Sequence, residues 1–277
     1  MSVRRRSPVF SACDARPLSR AGLPGGGRMG RSAWLMPWLA ALSAAAAMAE
    51  PDRALAAGSA YQVDTGVVSS PGNCKVDAWT SFAANSKEYF SALAPSCVAD
   101  LGRPVELNAQ FSRFRSDDEW TTAILPKIKT NIVPGGAIGQ WSVALAATAA
   151  YDATAREVAG FNLVVPATLR VTENVRINLN AGYLRALNPG RGFFSYGAGI
   201  DLRTPDNVWT VTGEVFGALG KAQEDDARGE LKPRWQLGLR YRPVDEFNVD
   251  LIYGRNLLGE SANWITLATT VRFKAGR

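Results

Sequence analysis

Apolar and polar residues alternate along short segments through the last 200 or so residues of the chain, and this alternation limits what the chain can fold into. The clearest examples are residues 175–183, 235–242 and 247–251. A period of two places all apolar side chains of a β-strand on one face of a sheet. Residues 74–273 divide into about twelve such strands, arranged as consecutive hairpins with polar turns. The predicted class is therefore all-β and antiparallel.

The alternation allows two architectures, which differ in what covers the apolar face. In a secreted soluble β-sandwich that face packs on a second sheet, whereas in a membrane barrel it contacts lipid and the polar face lines the lumen. The strands have about the length that crosses a bilayer, and Trp and Tyr recur near their ends. Charges lie at mid-strand on the polar face, where a wet lumen accommodates them. The favoured prediction is a closed antiparallel transmembrane up-and-down β-barrel of about 12 strands.

The polar face of the predicted barrel carries charges of both signs, which argues against a strongly ion-selective ring. These charges either line an open lumen or pair with one another across neighbouring strands. Small residues on the same face leave room for solute or relieve crowding in a curved sheet; they are Ser142, Ala144, Ala146, Gly182, Gly197, Gly199 and Gly238. The charged lumen-lining candidates are Glu106, Lys127, Lys129, Arg170, Arg176, Asp201, Arg203, Glu214, Arg240, Asp250 and Arg272.

Residues 1–49 have the features of a leader and signal peptide that is cleaved on export. Arginines precede an apolar run, Ala47-Met48-Ala49 matches an A-x-A cleavage site, and Met29 is an alternative start to Met1. The formal net charge of +6 comes from this leader, because basic and acidic residues balance in residues 50–277. No nucleic-acid partner is expected, since the basic excess is lost on maturation.

The remaining chain divides into three parts. Residues 50–73 are polar, bear Gly, Ser and Pro, and have no long period, which predicts an unstructured lead-in on the periplasmic side. Residues 74–273 form the predicted outer-membrane barrel, and residues 274–277 form a short tail. The exported part keeps two cysteines, Cys74 and Cys97, and an even pair in an exported chain predicts a disulfide. If they face each other, Val76 faces Pro95 and the hairpin turn falls at residues 85–86.

The chain contains no histidine, which bears on any catalytic function. Histidine is the usual acid–base group near neutral pH, and lipid-modifying and proteolytic barrels generally depend on it. We therefore expect no enzyme, no catalytic residue, no metal site and no cofactor.

Two motifs near the C-terminus carry a resemblance. Tyr253-Gly254-Arg255-Asn256 lies in the penultimate strand, and the closing strand runs from Trp264 to Phe273. With the strand count, these motifs resemble the twelve-stranded outer-membrane barrels of proteobacteria known as transporter-like or "MetA-pathway of phenol degradation"-like proteins. The resemblance implies a Gram-negative outer-membrane location and passage of small molecules. The closing strand also resembles the signal read by the barrel-assembly machinery, although four residues follow Phe273 where the aromatic residue is usually last.

The predicted function is passive or weakly selective passage of small solutes through the lumen. Outer-membrane lipid, the barrel-assembly machinery and small solutes are the expected partners. Two alternatives stay open: a soluble sandwich that binds a partner, and a structural barrel that conducts nothing because its own side chains or residues 50–73 plug it.

Overall fold

The computed structural model describes residues 59–84, 88–116, 119–187, 190–220, 233–257 and 263–275. The predicted leader, residues 50–58, the turn at residues 85–86 and the last two residues lie outside these ranges. Within them, no helix is both long and apolar enough to span a bilayer. The strands are β1 (Asn73–Ala83), β2 (Tyr89–Asp100), β3 (Pro104–Ser116), β4 (Glu119–Val133), β5 (Trp141–Asp152), β6 (Glu157–Arg170), β7 (Val175–Ala186), β8 (Arg191–Arg203), β9 (Trp209–Leu219), β10 (Arg234–Val244), β11 (Phe247–Asn256) and β12 (Asn263–Lys274).

These strands form one closed antiparallel barrel in which each strand pairs with its neighbours in sequence and β1 pairs with β12. The predicted fold class is confirmed. Closure brings Asn73 opposite Lys274, so both ends of the barrel sequence lie at the same end. Tight turns such as residues 245–246 lie at that end, and the end of β9 and the start of β10, between which the chain is longest, lie at the other. Since short turns face the periplasm in such barrels, we refer to the end with both termini as the periplasmic end.

The exterior of the barrel is apolar at mid-strand and aromatic near both ends. Leu239, Leu251 and Leu267 are about half exposed at mid-strand, with Leu251 at 54%. Trp141, Trp209 and Tyr241 stand near the periplasmic end, and exposed aromatic residues such as Trp120 and Tyr253 stand near the other end. An exposed apolar surface of this extent is a membrane surface, and two aromatic girdles mark its interfaces with water.

Cys74 and Cys97 form the predicted disulfide between β1 and β2. The register of the first hairpin is also as predicted, with Val76 opposite Pro95 and Phe82 opposite Tyr89. Cys97 is exposed on the outer face, and Cys74 is the second residue of β1. The covalent bond therefore fixes the periplasmic end of the first hairpin.

A matched pair of arginine substitutions tests which solvent contacts the exterior. Leu251→Arg places a charge at the middle of the lipid-facing band, and we expect it to lower the free energy of unfolding by about 2–4 kcal/mol. Leu202→Arg lies near the periplasmic end of β8 and should cost less than about 1 kcal/mol. Urea unfolding in lipid vesicles measures both, and equal costs at the two depths would contradict the membrane orientation.

The disulfide spans 23 residues of sequence, so its loss relaxes a loop of moderate length in the unfolded chain. We expect the double variant Cys74→Ser/Cys97→Ser to lose about 3 kcal/mol of unfolding free energy. Unfolding in urea with and without a reducing agent measures this. The reducing agent should destabilise the natural protein and leave the double variant unchanged.

Candidate functional site

Residues 59–68 lie inside the barrel, and we call this segment the luminal belt. The prediction of an unstructured periplasmic lead-in is wrong for these residues. Tyr61 is 6% exposed, and Val63 and Thr65 are fully buried. The belt begins beside β1 and runs around the inner wall past β11, β9, β7 and β6 to β4. It therefore follows most of the circumference of the lumen instead of crossing it once.

The C-terminal end of the belt, which includes Gly66 and Val68, is held by polar side chains at the periplasmic ends of β4, β5 and β6. The Gly66 N–H donates to Thr168 Oγ1 (2.8 Å), and the Gly66 carbonyl accepts from Asn131 Nδ2 (2.6 Å) and Ser142 Oγ (2.8 Å). Asn131 Oδ1 also accepts from the Val68 N–H (3.1 Å). Wall side chains thus satisfy backbone groups that would otherwise be buried without partners.

The middle of the belt carries one carboxylate, Asp64, which binds both predicted basic lumen residues of β4. Its two oxygens accept from Lys127 Nζ (2.5 Å) and Lys129 Nζ (2.9 Å). Lys129 is almost fully buried, whereas the Lys127 side chain keeps 31% of its surface exposed. These two lysines are therefore not free cations of the lumen wall, because the belt supplies their counter-ion.

The N-terminal part of the belt, residues 59–63, is held by acidic side chains. Glu214 of β9 accepts from the backbone N–H groups of Gln62 (3.0 Å) and Val63 (3.3 Å). Tyr61 Oη donates to Asp250 (3.0 Å), and the Tyr61 ring lies 5.5 Å from the guanidinium of Arg240. Ser59 Oγ donates to Asp77 of β1 (2.5 Å). Tyr61 also packs with Trp79, Phe90 and Ile252, which fill one side of the lumen.

Several of the small inward residues accommodate the belt rather than an open channel. A Cβ atom at Gly238 would collide with the Tyr61 ring, and one at Gly197 would lie 2.9 Å from Val63 Cγ2. Gly199 also adjoins Val63, and Ser142 binds the belt backbone. Gln62 is exposed on the belt, so the lumen keeps water-accessible space beside it.

The structure places the remaining charged candidates on the inner wall, and several pair across neighbouring strands. Arg176 contacts Asp201 (3.1 Å), and Arg240 contacts Asp250 (2.7 Å). Glu106 lies 3.8 Å from Lys75, a residue that is not among the predicted lumen-lining charges. The other three contact neutral groups or have an unpaired nitrogen: Arg170, Arg203 and Arg272. Within the described ranges, no three metal-ligating side chains come together.

Cross-linking tests the position of the belt. A Cβ built at Gly199 lies 3.6 Å from Val63 Cβ, which is within the range of disulfides. We expect the double variant Val63→Cys/Gly199→Cys to form a second disulfide, detected by mass spectrometry without reduction. The control Val63→Cys/Gly213→Cys places the second cysteine on the outer face and should leave two free thiols. Free thiols in both folded variants would contradict the belt.

Solved structures share this architecture. The chain is similar to the KdgM porin (TM-score 0.55, 8% identity, 72% of this chain and 99% of that chain). It is also similar to the NanC porin (TM-score 0.56, 9% identity, 71% and 98%). A third is an outer-membrane channel from Pseudomonas putida F1 (TM-score 0.52, 12% identity, 74% and 96%). At these identities the similarity shows a shared fold, that of outer-membrane porins and channels.

No curated protein sequence matches the chain. One family profile matches residues 44–273, which include the belt and all twelve strands except the last residue of β12. The chain therefore belongs to the family described as "Uncharacterised conserved protein UCP029691".

Proposed function

We propose that this protein is an outer-membrane channel through which small solutes pass along a lumen narrowed by the luminal belt. The observation that carries the proposal is the contrast between the two faces of the barrel. The outer face is apolar with aromatic girdles, whereas the inner face is polar, charged and in part wet. The porin and channel folds to which the chain is similar support the same function.

The belt restricts the passage of solutes because it covers inner wall that would otherwise line a wider pore. Exposed Gln62 and the partly exposed Lys127 mark the space that stays open to water beside it. Charges of both signs line this space, and most of them are paired. Such a lumen suits small polar solutes better than large ones.

The protein acts as a channel and not as an enzyme, in keeping with a chain that lacks histidine. The barrel-assembly machinery reads the closing strand, in which Phe273 is 40% exposed on the outer face and lies opposite Cys74.

Single-channel current through the mature protein in a planar bilayer tests the proposal. We expect small, discrete steps from the natural protein. The double variant Asp64→Asn/Glu214→Gln removes charged acceptors that hold the belt, and each such hydrogen bond contributes about 1.5–3 kcal/mol. Openings of larger conductance should therefore become at least about tenfold more frequent in the variant.

Ser112→Ala is the matched control, because Ser112 is buried on β3 and bonds to the Ala123 carbonyl, not to the belt. Its currents should equal those of the natural protein. The proposal is overturned if neither the natural protein nor the double variant passes current although both are shown to be folded and inserted. The barrel is then a structural one.

A further inference from the structure

Six arginines form an arc on the inner wall in the periplasmic half of the barrel, from β6 to β12. This arginine arc consists of Arg170, Arg176, Arg203, Arg240, Arg242 and Arg272. Carboxylates contact three of them: Asp201 and Asp250 as described above, and the exposed Asp245 at 3.6 Å from Arg242. Two others donate to neutral acceptors, Arg170 to the Gly136 carbonyl (3.2 Å) and Arg203 to Asn207 Oδ1 (3.3 Å). The arc therefore carries more positive charge than its contacts neutralise.

The strand register brings like charges together in this region. Arg170 of β6 lies directly opposite Arg176 of β7, and Lys75 of β1 lies directly opposite Arg272 of β12. Like charges in directly opposed positions destabilise a sheet. An anion bound between them would relieve this repulsion, so the barrel should become more stable when the arc is occupied.

Three polar atoms on consecutive strands have no hydrogen-bond partner among the described residues. They are Arg240 Nη2 on β10, Asn248 Oδ1 on β11 and Arg272 Nη1 on β12. Asn248 is fully buried, and Arg240 is 6% exposed. Because Asn248 Nδ2 donates to Asp250 (2.6 Å), the orientation of its amide is fixed and Oδ1 remains an acceptor. Buried polar atoms without partners cost stability, so a ligand group that hydrogen-bonds to these atoms would stabilise the barrel.

The register places these three side chains within mutual reach. Arg240 lies opposite Asp250, so Asn248 is its diagonal neighbour; Asn248 lies opposite Thr270, so Arg272 is a diagonal neighbour on the other side. Diagonal neighbours are close enough for long side chains to converge on one small group. The set offers guanidinium donors from two sides and one amide acceptor between them.

We propose that Arg240, Asn248 and Arg272 form a binding site for a small hydroxylated carboxylate. The guanidinium N–H groups donate to the carboxylate, a pairing favoured by charge and geometry, and a hydroxyl of the same solute donates to Asn248 Oδ1. This inference rests on the proposed function, because it names the class of solute that the lumen holds on its way through. Tyr61 of the belt contacts both Arg240 and Asp250, so the site adjoins the constriction.

Equilibrium unfolding in urea tests the site without relying on conduction. Glycolate and acetate serve as the probes, because they differ in one hydroxyl group, and chloride at equal ionic strength is the reference. We expect glycolate to raise the unfolding midpoint of the natural protein more than acetate does, and acetate more than chloride. Arg272→Gln should remove the difference between glycolate and chloride.

The matched control is Arg185→Gln, which removes the same charge from an exposed position at the end of β7 that lies away from the periplasm. This variant should respond to glycolate as the natural protein does. Equal midpoints in glycolate and chloride, or a glycolate effect that persists in Arg272→Gln, would overturn the site. If acetate matches glycolate, the site binds any carboxylate, and the role assigned to Asn248 is wrong.

Current measurements separate this inference from the proposed function. In a conducting protein, Arg272→Gln should lower the ratio of anion to cation permeability at least about fivefold, because the removed charge attracts anions and repels cations along the ion path. Protection by glycolate without any current would overturn the channel while the site stands. Current without protection would overturn the site while the channel stands.

Discussion

The pairing of β1 with β12 is the contact on which the rest of the structure depends. A bilayer offers no water to an unpaired strand edge, so an open sheet of these strands could not exist in lipid. Closure from Asn73 opposite Lys274 to Ala83 opposite Trp264 removes both edges at once. It also divides every strand into an outer and an inner face, and the sequence alternation then decides that apolar residues contact lipid while charges are confined to the lumen.

Because polar and charged side chains are confined to the lumen, they can bind the luminal belt, whose backbone has no sheet or helix of its own. The inner wall replaces those hydrogen bonds with side chains: Glu214 for two N–H groups, Thr168 for a third, and Asn131 with Ser142 for a carbonyl. A polar lumen lining is therefore as much a docking surface for this chain as a path for solutes. The hydrophobic contacts of Tyr61 with Ile252 and Trp79 add the apolar part of the same interface.

The strands, their orientation and the disulfide could be predicted because each rests on local information. Alternation within a strand identifies its two faces, and two cysteines set the register of one hairpin. The belt could not be predicted in this way, since its contacts join residues far apart in sequence; Val63 and Glu214 are 151 positions apart. Two signals pointed to it nonetheless. Residues 61–65 alternate between Tyr, Val and Thr on one side and Gln and Asp on the other, as residues of a strand do. The small inward residues Gly197 and Gly238 mark where the side chains of the belt fit.

The charges of the lumen were predictable as a set but not as pairs. Whether an arginine meets a carboxylate depends on the register between strands, which alternation does not define. Arg176 meets Asp201 directly across the β7–β8 pairing, whereas the same rule places Arg170 opposite another arginine. The excess positive charge of the periplasmic half therefore emerges only when the twelve registers are known together.

The contact between Asp64 and the two lysines of β4 makes the width and the charge of the lumen dependent on each other. The belt both narrows the passage and supplies a counter-ion, because its Asp64 carboxylate compensates one of the two positive charges of Lys127 and Lys129. A barrel from which the belt had withdrawn would be wider and would also expose two more ammonium groups, together with the carboxylate of Glu214. Its ion preference would change together with the width of its lumen, so movement of the belt alters both properties at once.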